Sequence, residues 1–520
     1  MKLNISQEQA NACRQIAKEV ALEIQRDIAP LSTVSVERAI LRLLGIEGEK
    51  EKIPYVNILV DNLKEQKALE EGVLYWIANA CLNTGLSPQD VALKVVSGSF
   101  NPVHLSRKSF QEVKNKAEEL ATESLSRLYK KKKAREALKQ SFPPSLPPLL
   151  YVIVATGNIY DDIAQAKTAA EQGADCVAVI RSTAQSLLDY IPEGITTEGF
   201  GGTFATQANY RLMRQALDEV AQKVSRYIYQ VNYCSGLCMA EIAVLAILEG
   251  LDIMVNDAFY GILFRDLNMY RTMVDQHFSR YLLGLFDIII TTGEDNLIKT
   301  VDAFKEYSIV LVSQFINEQL AQQAGMKKEL IGLGHAAELD PKIPDSLLWE
   351  LTQAQLVRQL FPRSPVKFMP PTRYKTGNIF FAHALDTIFN LVAVWTDQRI
   401  VLLGMPTEAL HTPYVQDRFL SLESALHIRN ASRSFSRELQ FIRNGQADKR
   451  ACELLTQAME TLIKIREAGI WNALSRGVFS QIKREKRGGR GYEGVFKKGK
   501  FYLNPFLDKK IVMQARRRAV

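Results

Sequence analysis

Membrane and secretion signals are absent from this 520-residue sequence. No apolar run approaches the ~20 residues that a membrane span needs. The first residues, MKLNISQEQANACRQ, contain no basic segment followed by an apolar one and no cleavage pattern, so we expect no signal peptide. The six cysteines are few and unpatterned, which argues for free thiols in a reducing compartment. We therefore expect a cytoplasmic protein that does not enter a membrane.

Metal-binding motifs are also lacking. The six histidines show neither HExxH nor any paired-ligand spacing. Cys234 and Cys238 are spaced CxxxC, without a second pair to complete a zinc site, so we interpret them as buried thiols. His335 and His411 follow predicted strands and could reach a site there, although their spacing does not favour it. We expect no metal ligands in this chain.

Net positive charge is concentrated at one end of the chain. Between Lys483 and Arg518, thirteen Lys and Arg residues oppose three acidic ones, which gives +10 against a formal net charge of +8 for the whole chain. The rest of the chain is therefore close to neutral. A basic tail can bind nucleic acid, dock an acidic partner subunit or be a solvated extension. Because no recognisable module with interleaved aromatics is present, we favour the last two and expect no nucleic-acid partner.

Three regions differ in their sequence patterns. Residues 1–141 carry apolar positions at helical spacing and predict a helical accessory region. Four prolines in the segment 142–150 cannot continue a helix and mark its end. Residues 142–418 alternate short apolar runs with amphipathic stretches. Residues 419–520 return to helix and finish in a Gly-rich basic tail, which we expect to be exposed.

The middle region predicts eight strands: LLYVIVAT, CVAVIR, YIYQVNY, LDIMVND, FDIIITTG, SIVLVSQ, ELIGLG and RIVLLGM. Strands buried on both faces are continuously apolar, and the stretches between them fit the helices of βαβ crossovers. Eight such units predict an α/β fold, a (β/α)8 TIM barrel with N- and C-terminal helical extensions. A doubly wound sheet is the alternative, but no Gly-x-Gly-x-x-Gly follows the first strand.

Polar residues follow the predicted strands, where a TIM barrel carries its active site. Arg181, Ser186 and Tyr190 follow the second strand, and a guanidinium with two hydroxyls suits the oxygens of a phosphate. Taken alone, Arg181 is more simply an ion-pair partner at the barrel rim. The glycine-rich segment 199–203 precedes a helix and could also cradle a phosphate, or be a mobile loop.

The next three strand ends add groups of different chemistry. Ser235 follows the third strand, and Tyr260 and Arg265 follow the fourth. The Tyr260 ring could stack on a planar ligand, although an ordinary core aromatic is the plainer interpretation. Asp295 follows the fifth strand and could face a cationic substrate, or only stabilise a helix N-terminus.

Long strings across residues 148–418 resemble the alpha subunit of lysine 5,6-aminomutases: VIRSTAQSLLDY, TTEGFGGTFATQANYRLMR, NYCSGLCMAEIA, NDAFYGILFRDLNMYRTMVDQHFSR, TGEDN and TEALHTPYVQDR. The resemblance implies an isomerase that moves the terminal amino group of D-lysine or L-β-lysine to the adjacent carbon. It also implies radical chemistry with adenosylcobalamin and pyridoxal 5′-phosphate as cofactors. The alternatives are an aminomutase for ornithine or another diamino acid, and a non-catalytic TIM-barrel scaffold with a basic tail.

The resemblance implies six cofactor-binding residues: Arg181, Ser186, Tyr190, Ser235, Tyr260 and Arg265. The first three would hold the phosphate, Ser235 would hydrogen-bond the pyridine nitrogen, and Tyr260 would stack on the ring. The implied catalytic residues are Tyr260, Asp295 and Lys367. Of these, Asp295 and Lys367 would meet the charged amino-acid end of the substrate. Without the resemblance, Lys367 in SPVKFMPP would be interpreted as a solvated lysine.

A cobalt-ligand motif is missing. None of the six histidines lies in Asp-x-His-x-x-Gly, which usually supplies the lower ligand of cobalamin. In the family, this motif and the lysine that binds pyridoxal phosphate belong to a beta subunit. The resemblance therefore implies that this chain is active only with that partner, as α2β2. We expect the helical flanks and the basic tail to serve this assembly.

Overall fold

The computed structural model describes residues 1–50, 52–180 and 184–519. Arg181, which we predicted to bind phosphate, lies outside the described residues. Eleven strands are described: β1 Leu31–Thr33, β2 Leu149–Ile153, β3 Cys176–Ile180, β4 Tyr229–Tyr233, β5 Ile253–Val255, β6 Ile289–Thr291, β7 Ile331–Gly332, β8 Gly334–Ala336, β9 Lys367–Met369, β10 Ile400–Leu402 and β11 Val495–Lys497.

Nineteen α-helices are described, and short 3-10 turns lie between some of them: α1 Gln7–Ile28, α2 Val34–Leu43, α3 Tyr55–Glu65, α4 Val73–Thr84, α5 Pro88–Val96, α6 Phe110–Gln140, α7 Ile159–Glu171, α8 Gln207–Val224, α9 Met239–Leu248, α10 Ala258–Arg265, α11 Met269–Leu285, α12 Ser308–Gln323, α13 Ser346–Leu360, α14 Ile379–Trp395, α15 Val415–Ser432, α16 Phe435–Glu438, α17 Gln446–Ala468, α18 Ile470–Arg476 and α19 Lys509–Arg518. Within the described ranges, no helix combines the length and the apolar content needed to cross a bilayer.

Nine short parallel strands form the barrel, in the order β7-β6-β5-β4-β3-β2-β10-β9-β8. The two ends of this order meet in the chain, because β7 and β8 are separated only by Leu333. β7 pairs with β6 and β8 pairs with β9, so the segment 331–336 passes once through the barrel and joins both neighbours. The barrel therefore has eight strand positions, which confirms the TIM-barrel prediction.

One of the eight predicted strands is wrong. SIVLVSQ begins the helix α12, in which every residue from Ile309 to Ala321 is buried. A short apolar run is the same signal in a buried helix and in a buried strand, so periodicity alone could not separate them. The vacant position is filled by β9, a segment that we did not predict as a strand and that begins with Lys367.

The helical extensions pack against the outside of the barrel. From the N-terminal side, α1 packs against α12 and α17, and α2 packs against α9. A buried ion-pair cluster reinforces the second contact, since Arg38 Nε and Arg42 Nε lie 2.6 and 2.9 Å from the two carboxylate oxygens of Glu241. The two ends of the chain also join, because β1 pairs antiparallel with β11.

The basic tail is folded onto the rest of the chain, so our expectation of an exposed tail is wrong. The backbone N–H of Asn268 donates to the carbonyl of Arg490 at 2.9 Å, and α19 packs against α6. Gly491 has a φ of +84°, and a Cβ there would lie 2.5 Å from a methyl carbon of Leu237. Glycine therefore allows a close approach that the low apolar content of this segment did not suggest.

Candidate active site

A cavity of about 940 Å³ opens at the carboxyl ends of the barrel strands. This is the end at which TIM barrels carry their active sites, and the volume is that of a site for a cofactor-sized ligand. Six predicted site residues line it: Ser186, Ser235, Tyr260, Arg265, Asp295 and Lys367. The structure therefore brings together residues that are scattered over nearly two hundred positions of the sequence.

Of the two predicted phosphate-binding residues that the structure describes, Ser186 lines this cavity and Tyr190 does not. Its side chain is 44% exposed. The preceding residue, Asp189, is held by Arg38 and by Arg271, whose Nη2 lies 2.8 Å from Oδ1. Although burial opposes ionisation, the charges of Arg271 and Arg38 lower the pKa of Asp189 to about 2. The segment is thus anchored next to Tyr190, whose contact with a phosphate stays a prediction.

The loops that carry Ser186 and Ser235 are in contact at Gly236. The backbone N–H of Leu237 donates to the carbonyl of Ser186 at 3.0 Å. A Cβ on Gly236 would lie 2.4 Å from the Cα of Ser186, closer than any side chain can approach. Glycine at this position lets the loop after β3 rest directly on the loop after β4, and both hydroxyl-bearing residues reach the cavity as a result.

Tyr260 and Arg265 form one unit on α10. Arg265 Nη2 donates to the Tyr260 hydroxyl at 3.0 Å, and the guanidinium lies 5.6 Å from the centre of the Tyr260 ring. The Arg265 Nε atom is buried without a hydrogen-bond partner among the described residues. An unpartnered guanidinium nitrogen beside an aromatic ring suits a ligand that has both an acceptor atom and a flat face.

Asp295 lies between two lysines. It belongs to a short 3-10 turn, Glu294–Ile298, and its Oδ1 lies 4.0 Å from Lys367 Nζ while its Oδ2 lies 3.9 Å from Lys299 Nζ. Both distances are too long for hydrogen bonds. Oδ1 is buried without a hydrogen-bond partner among the described residues. The site thus presents a carboxylate and an ammonium group that are close to each other but not satisfied by each other.

Two buried carboxyl groups lie beneath these residues. Asp257, the N-cap of α10, accepts from the backbone N–H of Phe259 at 3.0 Å and of Gly293 at 2.9 Å. Burial, together with the charge of Asp257, raises the pKa of Glu294 to about 8. Burial also lowers the pKa of the neighbouring Arg280 to about 10, although both carboxylates oppose that change.

Sequence reasoning missed several residues that line the cavity: Asn296, Lys299, Glu408 and Arg418. The rule that placed Asp295 could have included Asn296 and Lys299, because they follow it in the same turn. Glu408 follows β10 and forms an ion pair with the fully buried Lys375, whose Nζ lies 2.9 Å from Glu408 Oε1. Its position after the last barrel strand was the available signal.

The remaining candidates divide between the cavity wall and the buried interior. His411 lines the cavity, whereas His335 is buried on β8 with its Nε2 3.0 Å from Glu350 Oε1. Gly201 and Gly202 line the cavity, but α8 begins only after its N-cap Thr206. Cys234 and Cys238 are buried free thiols, as expected. Among the described residues, no group of three or more His, Cys, Asp or Glu side chains could hold a metal ion.

Comparison with known proteins gives consistent matches. The family described as "D-Lysine 5,6-aminomutase TIM-barrel domain of alpha subunit" matches residues 3–509. The lysine 5,6-aminomutase alpha subunit of Acetoanaerobium sticklandii is 51% identical over 508 residues, which cover 98% of each chain. That of Fusobacterium nucleatum subsp. nucleatum is 47% identical, covering 97% of this chain and 98% of the relative. The D-ornithine 4,5-aminomutase subunit beta of A. sticklandii is 28% identical over 70% of this chain and 50% of that protein.

Proposed function

The chain belongs to the lysine 5,6-aminomutase alpha-subunit family, and on that premise we propose the substrate, the cofactors and the residue roles of its site. It is one subunit of an isomerase that works with a partner subunit. We propose that the assembled enzyme moves the terminal amino group of D-lysine or L-β-lysine to the adjacent carbon. The observation that carries this proposal is 51% identity over 98% of both chains. Ornithine is the weaker alternative, because the ornithine enzyme matches at 28% identity over half its length.

The residues around the cavity fit pyridoxal 5′-phosphate. The buried Arg265 Nε has no partner among the described residues and can donate to a ligand, and the close contact of Gly236 with Ser186 brings Ser186 and Ser235 to the cavity wall. Ser186, with Arg181 and Tyr190, would hold the phosphate. Ser235 would face the pyridine nitrogen, where a neutral hydroxyl stabilises a protonated ring less than a carboxylate does. Tyr260 would support the ring face.

Pyridoxal phosphate would carry the migrating amino group, and adenosylcobalamin would supply the radical that starts the reaction. The polypeptide would bind, orient and shield the reactants. Asp295 would accept hydrogen bonds from an ammonium group of the substrate, and Lys367 would pair with its carboxylate. Both side chains are almost fully buried, at 1% and 3% exposure, so their charges act in a poorly screened environment.

The cobalt side of the reaction would belong to the partner. This chain lacks Asp-x-His-x-x-Gly, and we propose that a beta subunit supplies that motif and the lysine for pyridoxal phosphate in an α2β2 assembly. Exposed apolar side chains on α14 support a contact with a partner. Helix α14 exposes Ile379, Phe381 and Ile388, and Phe380 is 82% exposed. Exposed apolar side chains of this kind mark protein interfaces, and the 55% exposed Leu410 lies beside Gly377, just before α14, and next in sequence to the cavity-lining His411. The expected cytoplasmic location and the role of the basic tail in assembly stay predictions.

The test is reconstitution with the beta subunit encoded alongside a close relative of this chain. Turnover is measured with D-lysine, L-β-lysine and D-ornithine, and both cofactors are followed by visible absorption. We expect turnover with a lysine substrate, a severe loss in Tyr260→Ala and partial retention in Tyr260→Phe, which keeps the ring. A reconstituted complex that binds neither cofactor, or that turns over only ornithine, would overturn the proposal.

A further inference from the structure

We propose that Asp257 is a positioning residue that fixes the relative placement of Tyr260 and Asp295. This inference rests on the proposed roles of those two residues. Tyr260 lies on α10, after the barrel strand β5, and Asp295 lies in the turn after the neighbouring strand β6. A reaction that holds a ring on one and a charged group on the other needs both at a set separation.

A single carboxylate joins the two loops. Asp257 Oδ1 accepts from the backbone N–H of Phe259 at 3.0 Å, which caps the helix that carries Tyr260. Asp257 Oδ2 accepts from the backbone N–H of Gly293 at 2.9 Å, two residues before Asp295. Since each oxygen serves a different loop, a movement of this side chain changes the position of one loop relative to the other.

The loops also lack space to move independently. A Cβ on Gly293 would lie 3.2 Å from Asp257 Oδ2 and 3.5 Å from the Cβ of Tyr260. The first distance is tighter than ordinary van der Waals contact. The backbone that leads to Asp295 therefore rests directly on the capping carboxylate and on the base of the tyrosine side chain.

A buried polar cluster lies next to Asp257, where burial raises the pKa of the Asp257 carboxyl and the charge of Arg280 opposes that change. Arg280 Nη2 donates to the carbonyl of Asn256 and to Asn317 Oδ1, both at 2.9 Å. Asn317 Nδ2 in turn donates to Glu294 Oε1 at 3.0 Å. The guanidinium thus contacts the residue that follows β5 and a residue on α12, and Asn317 connects α12 to the turn that follows β6. A buried ionic cluster is costly compared with an apolar core, and a gain in geometry is one reason to retain it.

The test uses Asp257→Asn in the reconstituted enzyme. Asparagine has the same shape and still caps a helix, but only one of its terminal atoms is an acceptor, so the Gly293 contact becomes donor against donor. We expect kcat to fall by roughly 10- to 100-fold, the range for losing a hydrogen bond to a charged group, while the affinity for pyridoxal phosphate stays at the wild-type level. Asp302→Asn is the matched control, since the exposed Asp302 accepts from the backbone N–H groups of Phe304 and Lys305 and does not line the cavity.

Gly293→Ala is a second variant, which disturbs the same contact without removing the carboxylate. It is expected to give the same pattern of lowered kcat with retained cofactor binding. Wild-type kcat in both variants would overturn the inference. So would a parallel loss of cofactor and of folded protein in both variants, because that pattern indicates a purely structural role. Absence of cofactor binding and turnover in the wild-type complex would instead refute the proposed function.

Discussion

The buried pair of Asp295 and Lys367 allows a quantitative test of the site. At 4.0 Å, with an effective dielectric constant of about 20, two unit charges attract by about 4 kcal/mol before the cost of burial is subtracted. Lys299 lies at a similar distance on the other side of Asp295. Asp295→Asn therefore leaves two lysines without their shared carboxylate, whereas Lys367→Met leaves Asp295 one partner.

We expect the two single variants to differ. Asp295→Asn should lower the free energy of unfolding by about 3 kcal/mol, within the range for breaking a buried pair, and Lys367→Met should lower it by about half as much. The double variant should cost less than the sum of the singles. The coupling of about 1–2 kcal/mol is measured by a double-mutant cycle, using denaturant unfolding of the isolated chain.

A pair at the surface provides the control. Lys327 Nζ lies 3.3 Å from Asp287 Oδ1, and both side chains are well exposed, at 71% and 37%. Exposed pairs of this kind couple by less than about 1 kcal/mol. If the buried pair couples no more strongly than this exposed one, the reasoning that places Asp295 and Lys367 in a poorly screened pocket is refuted.

Three further predictions concern stability and the site. Gly236→Ala should lower the melting temperature through an overpacking cost of about 1–3 kcal/mol and weaken cofactor binding, and a wild-type absorption titration would contradict it. Arg38→Met should destabilise the chain by about 3 kcal/mol, because it removes one of the two guanidinium partners of the buried Glu241; an unchanged melting temperature would argue against that cluster. Burial raises the pKa of Asp275 from 3.8 to about 6, despite Arg271. The folded chain therefore keeps a proton that the unfolded chain releases, so stability should fall by about 3 kcal/mol as the pH rises through this window, and Asp275→Asn should flatten the profile measured by unfolding at several pH values.

The fold class could be predicted because the barrel strands are short, apolar and regularly spaced. The sequence could not predict which segments form all eight strand positions of the barrel. SIVLVSQ begins a 16-residue helix that is buried on all sides, so its apolar run looks like that of a buried strand. β9 was not predicted because a three-residue strand that begins with Lys367 has no apolar pattern. Lys367 entered the candidate site only through resemblance to a family, since its burial depends on contacts that are distant in sequence.

Position after a strand was a sufficient signal for Ser235, Tyr260 and Asp295, which all line the cavity. It was insufficient for Glu408, whose carboxylate reaches the cavity rim because the fully buried Lys375 holds it there. Such second contacts depend on which loops lie side by side. A single sequence does not reveal that arrangement before the barrel closes.

The pairing of β1 with β11 has a consequence for how the chain folds during synthesis. Leu31 pairs with Lys497, so the N-terminal strand finds its partner only after almost the whole polypeptide has left the ribosome. Closing so long a loop is slow, and the waiting segment stays exposed to other molecules in the meantime. We therefore expect the barrel to fold before this antiparallel pair, which then secures the outer layer around it.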